Sequence, residues 1–371
     1  MLRRIILLLG CAAALLGLNA PAVAQEAAPA ASAVASRPQW LRTPRVTGRL
    51  TAADIAVVIN TIDPYSVAVG EYYARQRGLG PDQVLRLELP ARAVLSPAEF
   101  EAFRGELEAR LPARAQALAL AWTRPYAVAC NSITGALALG FQAELCKQSC
   151  AASKPSPYPA YAGRQPFADL GLRPAMLLAA RSVESARALI DRGVAADHSL
   201  ALRGTPPVQA VFASTEDRAR NVRAPLFPPP GRLWAWGLEV RQVAQESLPV
   251  LDEVLIFQTG LARVEGLEHI PFVPGALADH LTSAGGQLER TTGPQMSVLD
   301  WIEAGATASH GAVSEPCNHL QKFPHPQLLL LNYVQGASAL EAYWRSVLWP
   351  AQSVFVGEPL AAPYARRSQA P

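Results

Sequence analysis

Five consecutive apolar residues, Ile55-Ala56-Val57-Val58-Ile59, stand between Asp54 and Asn60. A run this short, with no polar residue at alternate positions, is what a strand covered on both faces looks like, because both directions of the pleat then point into a core. Comparable runs recur at 84–87, 117–122, 175–179, 208–213, 254–257, 305–309 and 353–356. Helical signals lie between them. Ser66 can cap a helix whose apolar positions Val69, Tyr72 and Tyr73 keep helical spacing and which Gly78 ends. Ser96-Pro97-Ala98-Glu99 opens another, with Pro at the first position and Glu three residues after the Ser, that runs to residue 111. Further helices are expected over 183–192, 274–283, 295–303 and 338–348. Strands that alternate with helices are joined by right-handed crossovers. The expectation is therefore one α/β domain over 51–364, a mostly parallel sheet with helices on both faces.

Two stretches break this rhythm. Residues 130–174 hold Cys130, Cys146 and Cys150 and the loop Lys154-Pro155-Ser156-Pro157-Tyr158-Pro159, and read as a Cys/Pro-rich insertion shaping the rim of a site. Residues 226–237, with three prolines in a row and two tryptophans, read as a loop. A net charge of +3 over 371 residues gives no electrostatic reason to expect nucleic acid as a partner.

The N-terminus has the pattern of an export signal over 1–24. Arg3 and Arg4 precede an apolar stretch, 5–18, that is too short to span a bilayer, and Ala22-Val23-Ala24 supplies small residues for cleavage before Gln25. The alternative is a lipoprotein signal, with Leu8-Leu9-Gly10-Cys11 as the lipidated site. Residues 25–50 read as a disordered lead-in and 365–371 as a loose tail. No other apolar run is long enough to cross a membrane, so a soluble periplasmic or extracellular protein is expected. Export leaves Cys130, Cys146, Cys150 and Cys317, an even number in an oxidising compartment, and so predicts two disulfides. Three pairings are open; a local Cys146–Cys150 closure would leave Cys130 to Cys317.

Polar residues that call for explanation gather between 275 and 363: His280, Thr282, Ser283, His310, Glu315, Cys317, His319 and Glu358. Loops after parallel strands are where α/β proteins place chemistry. His310-Gly311, at the end of the run 305–309, supplies a general base with room beside it for a substrate backbone. Ser283 and Cys317 are the alternative nucleophiles, although export favours a half-cystine at Cys317. Asp63 is a third catalytic candidate, and Asn60, Arg124, Thr282 and Glu315 are candidates for substrate binding. Asp63 before Pro64 is equally a turn residue, and Arg124 before Pro125 equally a surface ion-pair partner. Leu281-Thr282-Ser283-Ala284-Gly285-Gly286 offers glycine N–H groups to an anion, but Leu281 stands where a nucleophile elbow needs its first Gly. Cys317, His319 and His325, with Pro324 between, do not have the spacing of a metal set, and no cofactor is expected.

The stretches D-I-A-V-V-I-N-T-I-D-P-Y-S-V-A-V-G-E-Y-Y-A-R-Q-R-G-L, N-S-I-T-G-A-L-A-L-G-F, L-T-S-A-G-G, G-A-T-A-S-H-G-A-V-S-E-P-C and V-G-E-P-L-A-A-P resemble a family of exported bacterial proteins that has no assigned activity to transfer. More distantly, the pattern is similar to the gingipain-type cysteine peptidases. In those enzymes a strand ending in His-Gly precedes a strand ending in the nucleophilic Cys, and a Gly-Ala-rich strand and a Gly-Asp-Pro turn follow. Gly305-Ala306 and Gly357-Glu358-Pro359 look like the late elements. In that register His310 is not the catalytic His, and the strand meant for the nucleophile leads to Thr282-Ser283. If His310-Gly311 is instead the catalytic pair, only Cys317 follows, too close to end another strand. The resemblance implies a caspase-like or flavodoxin-like α/β domain in which either register leaves the dyad incomplete. Two functions follow as expectations: a divergent or inactive hydrolase, or an envelope or extracellular binding protein for peptide or glycan.

Overall fold

The computed structural model describes residues 39–200 and 207–366. The expected signal peptide, the alternative lipid site at Cys11, residues 25–38 of the lead-in and residues 367–371 of the tail lie outside them.

The chain begins with β1 (Ile55–Asn60), α1 (Pro64–Arg77), β2 (Val84–Leu87), β3 (Val94–Leu95), α2 (Pro97–Arg110) and β4 (Ala117–Leu120). It continues through β5 (Ala127–Val128), β6 (Asn131–Ser132), α3 (Ile133–Leu139), α4 (Glu144–Lys147), α5 (Pro166–Leu170), β7 (Ala175–Leu177) and α6 (Val183–Ala196). The second half holds β8 (Val208–Ser214), β9 (Gly231–Leu233), β10 (Leu238–Ala244), β11 (Val254–Thr259), β12 (Phe272–His280), α7 (Leu299–Glu303), β13 (Ala308–Ala312), α8 (Pro326–Val334), α9 (Ala339–Trp344) and β14 (Ser353–Gly357). Among the described residues, eleven strands form one sheet in the order β2-β1-β4-β7-β14-β13-β12-β11-β8-β10-β9, and β3, β5 and β6 form a small second one. Most neighbours run parallel, while β13/β14 and β9/β10 are antiparallel. Every residue of β1, β4, β7, β11, β13 and β14 is buried, which requires cover on both faces and explains their unbroken apolar runs. The expected α/β class and mostly parallel sheet are present.

Local chemistry sets several element ends as read. Ser96 caps α2 and closes a capping box with Glu99, and Gly78 ends α1 in the left-handed region at φ 63°. The cap of α1, however, is Asp63 rather than Ser66: its carboxylate accepts from the Tyr65 N–H, and the helix starts at Pro64.

Tertiary context overrode sequence pattern in the second half. Residues 274–283, expected as a helix, are mostly strand β12, inserted between β11 and β13. The stretch Gly275-Ala276-Leu277-Ala278 has no strand alternation because both its faces are buried. The expected loop 226–237 contains β9, and β10 follows it along the sheet edge. The Cys/Pro-rich insertion is not peripheral throughout. Its helix α3 packs under the sheet, where the Thr134 hydroxyl donates to Ser353 O at 2.8 Å and an added Cβ on Gly135 would lie 2.6 Å from Pro350 O. The end of the expected lead-in is held in place: Leu41, Val46 and Leu50 donate their backbone N–H to Gln327, Gln335 and Glu341, and Leu50 is fully buried.

Candidate functional site

The β12 strand runs out into Leu281-Thr282-Ser283, and this segment lines a cleft of about 220 Å³. Two other loops close it: one after β8, which brings Arg220, and one after β13, which brings Glu315, Cys317 and Asn318. Thr282 donates its hydroxyl to Gln295 Oε1 at 2.9 Å, and the same oxygen takes the Ala284 N–H at 2.8 Å, which fixes the turn. Arg220 is held by Asp217, with Nη1 2.6 Å from Oδ2, so its guanidinium is presented at the rim with donors to spare. Glu315 accepts the Cys317 N–H at 2.7 Å. Cys317 and Asn318 both occupy the left-handed region, with φ of 58° and 45°, and a non-glycine pair in that region stores strain beside the cleft.

Ser283, Thr282, Glu315 and Cys317 therefore line one cleft, but His310 does not join them at the surface. It sits inside β13 rather than in the loop after it, fully buried, with its ring between Phe323 and Phe355 at centroid distances of 6.0 and 5.4 Å. Phe323 itself lines the cleft, so it separates His310 from whatever enters. Neither ring nitrogen of His310 has a hydrogen-bond partner among the described residues, and burial pushes its pKa well below the ordinary histidine value. The general-base assignment needs a ring that a substrate can reach; this one is part of the core. Nor does a hydrogen bond join Ser283 to any histidine among the described residues.

Of the polar residues beneath the cleft, the sequence singled out His280 but neither Asp279 nor Arg223. The Trp301 indole donates to His280 Nδ1 at 2.9 Å, and burial holds the His280 pKa down to about 3. On the next residue back, Asp279 is fully buried and accepts from Arg223 Nη1 at 2.6 Å and from Gln258 Nε2 at 2.7 Å. Desolvation raises the Asp279 pKa, against the pull of Arg223. Leu277 beside Ala308 sets the register of β12 and β13, which puts Asp279 level with His310 two residues further along. Gln258 pairs with Asp279 on the other side. A buried polar row thus crosses three strands under the cleft. The signal for it was the polar ending Asp279-His280 on an apolar run; nothing in the sequence marked Arg223, which arrives from a loop.

The remaining candidates lie elsewhere. Asn60 is buried and its amide is spent on the segment after β2, donating to Leu89 O and accepting from the Leu89 N–H, so it is not a substrate contact. Asp63 and Arg124 line a second cleft, of about 300 Å³, at the ends of β1 and β4. The Gly285-Gly286 turn does not cradle an anion: the Gly286 N–H bonds to Ala312 O at 2.8 Å, and an added Cβ there would lie 2.7 Å from Val354 and 2.8 Å from Gly311 O. Glu358 is buried at the end of β14 and held by Arg77, with contacts of 2.9 and 2.6 Å.

Both expected disulfides are present, as Cys130–Cys146 and Cys150–Cys317. The local Cys146–Cys150 closure is not formed. Cys150–Cys317 instead ties the insertion to the loop that walls the cleft, reinforced by the Lys322 ammonium donating to Ser149 O at 2.7 Å. The sulfur of Cys317 is thereby taken out of nucleophilic chemistry.

Among solved structures, the chain is similar to the Arg-specific cysteine proteinase gingipain R (RGPB), at 11% identity and a TM-score of 0.46, over 86% of this chain and 80% of that chain. It is also similar to a complex of Porphyromonas gingivalis RgpB pro- and mature domains, at 10% identity and a TM-score of 0.43, over 85% and 79%. A structure of a protease matches at 10% identity and a TM-score of 0.40, over 85% and 79%. No protein-family model and no curated protein matches. At these identities and TM-scores the likenesses carry no residue's role over to this chain.

Proposed function

We propose that the chain is an exported binding protein that holds a peptide or glycan segment in the cleft after β12 without turning it over. The observation that carries this reading is the absence of a nucleophile–base pair among the described lining residues, in a cleft otherwise rich in hydrogen-bonding groups. Ser283, Arg220, Asn318 and Glu315 present donors and acceptors, while the Cys317 sulfur is bonded to Cys150 and the His310 ring is screened by Phe323. At about 220 Å³ the cleft is smaller than the ~300–1,000 Å³ that encloses a whole small molecule, and suits one residue of a polymer. Export is supported by the two disulfides, which persist in oxidising compartments.

The test is capture on peptide and glycan arrays, followed by mass spectrometry of the captured ligand. The expected result is an intact ligand whose capture is lost in Ser283→Trp, which fills the cleft, and weakened in Arg220→Ala. Ligand cleavage that stops in Ser283→Ala would establish a hydrolase instead. For export, N-terminal sequencing of the chain recovered from the cell envelope or medium should begin at Gln25, and an uncleaved cytoplasmic chain would refute that part.

A further inference from the structure

We propose that the larger cleft, at the ends of β1, β4 and β7, is a separate binding site for a small zwitterion of about dipeptide size. The sheet order places β2 on one side of β1 and β4 on the other, so the chain reverses direction across the sheet at β1. Such a reversal opens a crevice beyond the carboxyl ends of the two strands, since the connections leave on opposite faces. Asp63 follows β1, Thr123 and Arg124 follow β4, Arg181 follows β7, and all four line this cleft. Its volume of about 300 Å³ is at the lower end of sites that enclose a whole small molecule.

The charges define the ligand. The Asp63 carboxylate spends one oxygen on the Tyr65 N–H at 3.0 Å and has no cationic partner among the described residues, which leaves the other oxygen for an incoming ammonium group. Arg124 reaches Glu289 through Nη1 at 3.0 Å, and Arg181 reaches Asp300 through Nη2. Both are partly exposed pairs, at 49% and 44% for the first and 31% and 24% for the second, so neither guanidinium is locked. Each carries five N–H donors and keeps some for a carboxylate. The cleft also has a fixed apolar part: Leu288 and Leu299 line it, each 1% exposed, and the Tyr65 hydroxyl is committed to Leu178 O and the Ala180 N–H. A molecule with an ammonium at one end, a carboxylate at the other and a small apolar body between satisfies all three parts. This site does not depend on the cleft after β12.

The experiment is a calorimetric titration of the mature chain with three probes: L-alanyl-L-alanine, its N-acetyl form and its C-terminal amide. The free dipeptide should bind about tenfold tighter than either blocked form, because each block removes one charged contact. Asp63→Asn keeps the helix cap and should weaken the free dipeptide and the amide about tenfold while leaving the N-acetyl form unchanged. Arg124→Gln should weaken the free dipeptide and the N-acetyl form and leave the amide unchanged. Ser283→Trp, which blocks the cleft after β12, should leave the affinities of these three probes unchanged. Equal affinity for all three probes, no binding of any, or insensitivity to both charge variants would each overturn the proposal.

Discussion

Acidification should destabilise this protein through His280, by an amount that can be worked out. The ring is 1% exposed, and burial holds its pKa down to about 3, against 6.5 for an ordinary histidine. Trp301 donates into Nδ1, so the neutral ring carries its proton on Nε2 and the second protonation has to displace the indole bond. A folded-state pKa below the unfolded one means that the neutral ring stabilises the fold above pH 6.5 and that this stability drains away as the pH falls towards 3. Each pH unit within that window is worth about 1.4 kcal/mol, so going from pH 7.5 to 4.5 removes about 3 kcal/mol through this residue. His310 and His325 are depressed in the same direction, again by burial, and add to the loss. The assay is urea unfolding at both pH values for the native chain and for His280→Gln, whose amide oxygen keeps an acceptor for Trp301 but does not titrate. The native chain should lose about 3 kcal/mol more than the variant over this interval. Equal losses would refute the reasoning, because His280 would then titrate alike in the folded and unfolded chains.

Other expectations rest on separate features. Arg77→Met strands the fully buried Glu358 carboxylate and should cost about 3–5 kcal/mol, whereas Arg77→Met with Glu358→Leu should recover most of it; chemical denaturation of the two variants checks this. Replacing Cys150 and Cys317 together by Ala opens a closure over 167 residues and should cost about 5 kcal/mol of chain entropy, against about 3 for Cys130 and Cys146 over 16 residues. The order of their urea midpoints is the readout, and the reverse order would show that the linkages act on something other than chain entropy.

The crossover alternation, the capping box at Ser96, the end of α1 at Gly78 and the presence of two disulfides were legible in the sequence, because each depends on neighbours close along the chain or on composition. The meeting of Ser283, Thr282 and Glu315 was not, because it depends on β12 being a strand. The strand β12 was not legible, since small apolar residues suit a helix locally and only the two flanking strands make a strand the better burial. The cysteine pairing was not legible either. Four thiols allow three answers, and the distance between loops decides among them.

The fate of His310 shows where the division falls. A histidine after small residues looks, along the chain, the same whether it ends a strand or sits within one. The antiparallel partner β14 sets the strand at Ala308–Ala312, and Phe323 and Phe355 close over the ring. Sequence by itself determined the fold class, both ends of α2 and the end of α1, and which residue types would gather after the strands. Tertiary structure alone decided which of them reach solvent, because exposure depends on residues packed from distant parts of the chain. The ring of Phe323, the guanidinium of Arg223 and the disulfide from Cys150 all reach their places from other loops.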